Sequence, residues 1–185
     1  MGHAFNLYLL SVALVCCLAD AAETVRMFPS ESPSLTSPDT KSVLVNVDAE
    51  NDADVARLGD NHALFLRDVK TSKESKVHSY PRHVTAFWSP NSRFVTINDF
   101  EASNRATCYV YAVSDGKLIN VADSILKVLE SEQKNHHIYF EGTAWKEGSR
   151  LKVKVTGYGE QNRAGFERWF VYDTAKNQSV SLPTK

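Results

Sequence analysis

The chain has 185 residues, 43% of them hydrophobic, with 21 basic side chains against 22 acidic ones. A net charge this close to zero supplies no field favouring nucleic acid or an anionic membrane surface. Aromatic residues at 10% exclude a disordered chain, because enough apolar surface is present to offset the entropy of ordering, and the length suits one domain or at most two.

Residues 4–19 are almost wholly apolar, and Ala19-Asp20-Ala21 places small residues at the two positions a signal peptidase reads. The stretch is too short for a membrane span and has the pattern of a secretory signal over residues 1–22. Cleavage is expected near Ala21 or Ala22, giving a secreted or periplasmic mature chain with no membrane span. Cys16 and Cys17 belong to the signal, so only Cys108 remains and no internal disulfide framework can form. Its strand-like surroundings make Cys108 a small buried hydrophobe.

Residues 23–41 are rich in Ser and Pro and are expected to be a mobile leader. Beyond them, short runs rich in Val, Tyr, Phe, Trp and Thr alternate with Asn, Asp, Gly and Ser, the pattern of antiparallel β structure. Strands are expected at 42–47, 63–69, 76–80, 84–88, 93–98, 107–113 and 117–119, then at 137–145, 150–157, 168–173 and 179–182. One short helix is expected within 120–133, where Val121, Ile125, Val128 and Leu129 share a face behind the N-cap candidate Asn120.

The pattern repeats. Thr85-Ala86-Phe87-Trp88 to Val95 can be laid over Thr143-Ala144-Trp145 to Val153. Each copy passes through Asn-Arg-Ala (104–106 and 162–164) to an aromatic strand, Tyr109 to Val113 or Trp169 to Asp173. A partial third copy runs through Leu64 to Lys73. At Trp88-Ser89-Pro90-Asn91-Ser92-Arg93-Phe94-Val95 the repeat resembles the blade motif of WD40-like and TolB-like β-propellers. The resemblance implies a mainly β fold of antiparallel sheets in a blade-like or sandwich arrangement, here one domain over 42–185 with about three units (42–80 partial, 83–119, 137–182). Three units fall short of the usual range of about four to eight blades, so either the sheets pack as a partial ring or two chains complete one. The motif specifies architecture and carries no functional residues with it.

Candidate chemistry is sparse. Acidic groups alternate through Asp48-Ala49-Glu50-Asn51-Asp52-Ala53-Asp54. A calcium loop would need a sharp-turn Gly where Ala53 stands and a bidentate Glu where Gly59 stands, so a solvated acidic loop is expected. His62, His78, His83, His136 and His137 lack zinc-site spacing, and no nucleophile elbow or metalloprotease helix occurs. No metal, cofactor or catalytic residue is assigned. The better candidates are two equivalent hairpin tips, 98–105 and 158–163, which combine aromatics, carboxylates and Arg: Asp99, Phe100, Glu101, Asn104 and Arg105, with Tyr158, Glu160, Asn162 and Arg163. Such residues on a rigid β scaffold suit recognition of a protein partner. Trp88, Trp145 and Trp169 are expected in the core.

The leading expectation is therefore an exported, non-catalytic binding protein of inhibitor or immunity type. The alternatives are an assembly module whose blades complete a ring as a homodimer, and a ligand sensor or hydrolase using Asp99, Glu101 and Glu160.

Overall fold

The computed structural model describes residues 24–131, 133–135, 137–159 and 164–183. The expected signal lies outside these residues. The segment expected as a mobile leader instead contributes two strands, β1 (Arg26–Phe28) and β2 (Ser34–Thr36). Each carries one apolar anchor, Phe28 or Leu35, and both anchors are buried. Pro29, Pro33 and Pro38 all stand outside the strands, where no ladder N–H is needed.

The first four-stranded unit runs from β2 through β3 (Ser42–Asp48) to β4 (His62–Asp68) and β5 (Glu74–Tyr80), each strand antiparallel to the one before. Between β3 and β4 the expected acidic loop contains a helix, α1 (Asp52–Leu58). Its stop and start signals are local. The Asn51 side chain accepts from the Asp54 N–H, Asp52 and Asp54 lie in the first turn, and Gly59 closes the helix at φ 87°.

The second unit repeats the meander with β6 (Val84–Trp88), β7 (Phe94–Ala102), β8 (Arg105–Ala112) and β9 (Lys117–Asn120). A second helix, α2 (Val121–Leu126), follows behind the Asn120 cap. It is shorter than the expected helix: Leu129 N–H still bonds Ile125 O and Leu129 stays buried with Val121 and Ile125, but Val128, expected on the same face, lies beyond the helix and is exposed. The third unit comprises β10 (His137–Lys146), β11 (Arg150–Tyr158), β12 (Phe166–Asp173) and β13 (Gln178–Ser181). β1 lies antiparallel along the free edge of β6, and β8 meets β10 in a parallel bridge at Ala106 and Tyr139.

The units stack face to face. Leu35, Leu44, Leu64, Leu66 and Tyr80 of the first unit meet Val84, Ala86, Trp88, Val95, Ile97 and Tyr111 of the second, with Phe28 of β1 on the second unit's sheet. Phe87, Cys108 and Val110 on the opposite face of the second unit meet Leu151, Val153, Val155 and Phe170, with Val121 and Ile125 of α2 closing the side. Each fully buried Leu or Phe contributes about 1.5–3 kcal/mol. The second unit is covered on both faces, so β6, β7 and β8 are buried at consecutive positions, including the polar Thr96, Asn98 and Asp99. The third is covered on one face, and β11 alternates strictly, with Leu151, Val153 and Val155 inward and Lys152, Lys154 and Thr156 outward. Trp169, expected in the core, lies on that outer face, with the Lys152 ammonium 4.0 Å from its ring centroid.

One turn recurs between the first two strands of successive units. Ser37 Oγ donates to Asp39 and accepts from Ser42 N–H, and Ser89 Oγ does the same with Asn91 and Phe94. Thr40 and Ser92 both adopt φ 60° at the matching position. The turns also touch one another. Asp39 N–H donates to Ser92 Oγ at 3.0 Å, and Asn91 Nδ2 donates to Gly148 O at 3.0 Å. A third tie lies deeper, where buried Asn98 of β7 accepts from Gly142 N–H at 2.7 Å and donates to Gly142 O at 2.9 Å in β10.

Candidate functional site

β7 is antiparallel to β8, β8 is parallel to β10, and β10 is antiparallel to β11. β7 and β11 therefore run the same way, and their C-terminal ends share one end of the molecule. Phe100 of β7 and Tyr158 of β11 wall a single groove of about 420 Å³, together with Tyr139 and Glu141 of β10 and Lys154 and Thr156 of β11. Tyr139 donates to Ser103 O at 2.6 Å, tying β10 to the β7–β8 hairpin. The Tyr139 and Tyr158 rings stand at 89° with centroids 5.3 Å apart, and Phe100 is backed by His83, stacked at 4.8 Å.

Glu141 lies directly across the ladder from Lys154. The Lys154 ammonium, however, is held by Glu167 at 2.9 Å. That hydrogen bond raises the Lys154 pKa and lowers the Glu167 pKa from their ordinary values. Among the described residues Glu141 has no ion-pair partner.

The remaining candidates divide. Asn104 and Arg105 border a neighbouring hollow of about 580 Å³ with Asp123, Ile138 and Phe140. Arg105 pairs with Glu101 at 2.5 Å, and Glu101 also accepts from Thr107 at 2.9 Å. Asp99 is no part of a loop tip, because β7 continues through a bulge to Ala102. It is buried between the first two units and bonded to His78 Nε2 at 2.6 Å. Asp99 and Glu101, the two described carboxylates of the catalytic alternative, therefore engage different partners. Glu160, Asn162 and Arg163 lie outside the described residues.

His78 belongs to a polar seam between the first two units. Asp48 bonds His62 at 2.7 Å, His62 stacks on Tyr80 at 5.1 Å, Tyr80 donates to Asn46, and His78 packs on Tyr109 at 4.9 Å. Burial raises the phenol pKa of both Tyr80 and Tyr109, and it pushes the Cys108 thiol up to about 12. Among the described residues, no three of His, Cys, Asp and Glu are grouped to hold a metal ion, and no helix is long and apolar enough to cross a membrane.

Tyr139, Glu141, Lys154 and Thr156 were not singled out by sequence. Their signal is the period of two, since they occupy the outward positions of β10 and β11 that also carry Tyr158.

No family model matches the chain, and no curated protein matches its sequence. Among solved structures it is similar to the β-propeller domain of the Trilobed protease from Pyrococcus furiosus, a domain of open velcro topology. The TM-score is 0.51 at 15% identity, covering 82% of this chain and 43% of that one. The fold is β-propeller-like. Its four-stranded units are blades, and the chain spans less than half the length of that propeller chain. TolB from Acinetobacter baumannii also matches, at TM-score 0.44 and 14% identity over 81% of this chain and 31% of that one. The acylaminoacyl peptidase of Pyrococcus horikoshii matches at 0.44 and 11%, over 77% and 23% respectively.

Proposed function

We propose that the chain is an exported, non-catalytic recognition protein of inhibitor or immunity type, binding a protein partner at the end where β7 and β11 finish. The observation that carries this reading is the convergence of Phe100 and Tyr158, from two different blades, on one groove. Aromatic anchors on rigid strands supply contact area at low entropic cost, and they dominate interface energies. The export half of the reading rests on the apolar run at 4–19 and the small residues at 19–21.

Recognition is favoured over ring completion by the outer face of the third blade. Lys152 and Lys154 stand there over Trp169. A face meant to receive another blade would have to desolvate both ammonium groups.

The test is affinity capture by residues 23–185 from the envelope fraction of the source organism. A specific partner is expected to be retained by the wild type and by Val180→Asp on the far edge strand, and lost by Phe100→Ala/Tyr158→Ala. Equal retention by all three proteins would overturn the reading. N-terminal sequencing of the exported chain, expected to begin near residue 22 or 23, tests export separately.

A further inference from the structure

The groove between the second and third blades has the composition of a cation-binding site. Tyr158 is 61% exposed, so its ring is open to a ligand. The perpendicular Tyr139 ring and the His83-backed Phe100 ring supply further aromatic surface around the same space. Aromatic faces attract ammonium groups through the ring quadrupole. The charge balance points the same way. Lys154 also lines the groove and feels the Glu141 charge, but its ammonium is in direct contact with Glu167, so two carboxylates face one ammonium and Glu141 makes no ion pair among the described residues.

We infer that this groove takes the ammonium group of a lysine side chain presented by an extended segment of the protein partner. The alkyl stem lies along Phe100 and Tyr158, and the ammonium meets the Tyr139 face and the Glu141 carboxylate. A long aliphatic stem ending in a compact charge matches an aromatic wall ending in an anion. This rests on the recognition reading and names the chemistry of its contact.

The probe is the peptide acetyl-Gly-Ser-Lys-Ser-Gly-amide, titrated into residues 23–185 and followed by amide chemical shifts. A second peptide carries norleucine, which keeps the four-carbon stem and removes the ammonium. Saturable shifts at Phe100, 139–141 and 154–158 are expected with the lysine peptide and not with the norleucine one. Glu141→Gln, at an exposed position, is expected to weaken binding by about fivefold or more. Equal shifts from both peptides, an unchanged affinity in Glu141→Gln, or no shift up to about 10 mM peptide would each overturn the inference. If the lysine peptide fails while Phe100→Ala/Tyr158→Ala still abolishes capture, the cation chemistry is wrong and the recognition reading survives. If capture is insensitive to those substitutions, the recognition reading fails on its own test.

Discussion

Gly148 shows how a single residue can be fixed twice over. It follows Glu147 in the β10–β11 turn, and both residues have positive φ, 55° and 67°, as a tight hairpin of this twist requires. A Cβ at Gly148 would also stand 2.6 Å from Asn91 Nδ2, the atom that bonds the Gly148 carbonyl. Gly148→Ala should therefore cost about 1–3 kcal/mol, from the backbone conformation and the displaced hydrogen bond together. Denaturant unfolding would show this, and an unchanged midpoint would refute it. Glu167 offers a test in solution. Its carboxyl pKa is lowered by the Lys154 ammonium, so its contribution to stability is in place above the ordinary glutamate range and is lost as pH falls through the lowered value. A carboxyl titration followed by NMR should give a midpoint below that of a free glutamate, and Lys154→Met should move it back up.

At the scale of elements, the sequence was most legible where side-chain period and turn chemistry agreed. β6 falls on the expected residues 84–88, and the Ser-Pro-Asn turn after it closes as its residue types require. It was least legible where polar residues sit inside strands. Asp99 and Glu101 look like loop residues, yet β7 runs on to Ala102, with His78 of the facing blade bonded to Asp99 and Arg105 of the adjoining strand paired with Glu101. α1 escaped notice because a helix of seven residues shows little apolar period, although its caps were present in the sequence. The leader was misread for a similar reason. Three-residue strands next to prolines are too short to show alternation, and the burial of Phe28 and Leu35 is what anchors them. Leu35 also accepts from Trp88 Nε1 at 3.1 Å. A chain starting at Ser37 should thus melt roughly 10 °C or more below one starting at residue 24, given about 1.5–3 kcal/mol for each lost anchor. Matching melting curves would show that β1 and β2 contribute little.

At the scale of the whole molecule, the two outward faces of the described blades are finished differently. On the first blade, α1 lies over the outer side of β5, where Lys76 Nζ and Ser79 Oγ both donate to Leu58 O. On the third blade the end is chemical, with lysines standing over Trp169. Repeat proteins need such polar terminal faces to stay soluble. Lys152→Val/Lys154→Val would join Trp169, Val171 and Val180 into one apolar strip. Light scattering should show the double variant self-associating at concentrations where residues 23–185 of the wild type are monomeric. In the same measurement a monomeric wild type would count against the ring-completing dimer, and a wild-type dimer would favour it.

The pairing of β1 with β6 sets a schedule. β1 precedes the whole first blade in the chain, but its ladder partner comes after that blade. As the polypeptide emerges from a ribosome or a translocation pore, the first blade can pair its own strands while β1 waits with its edge open. Closing that long loop comes late and is entropically costly. During this interval an exposed three-residue strand ending in Phe28 is free to pair with the wrong edge. Slow emergence therefore prolongs the hazard, and a holding chaperone acting before residue 84 has appeared would relieve it.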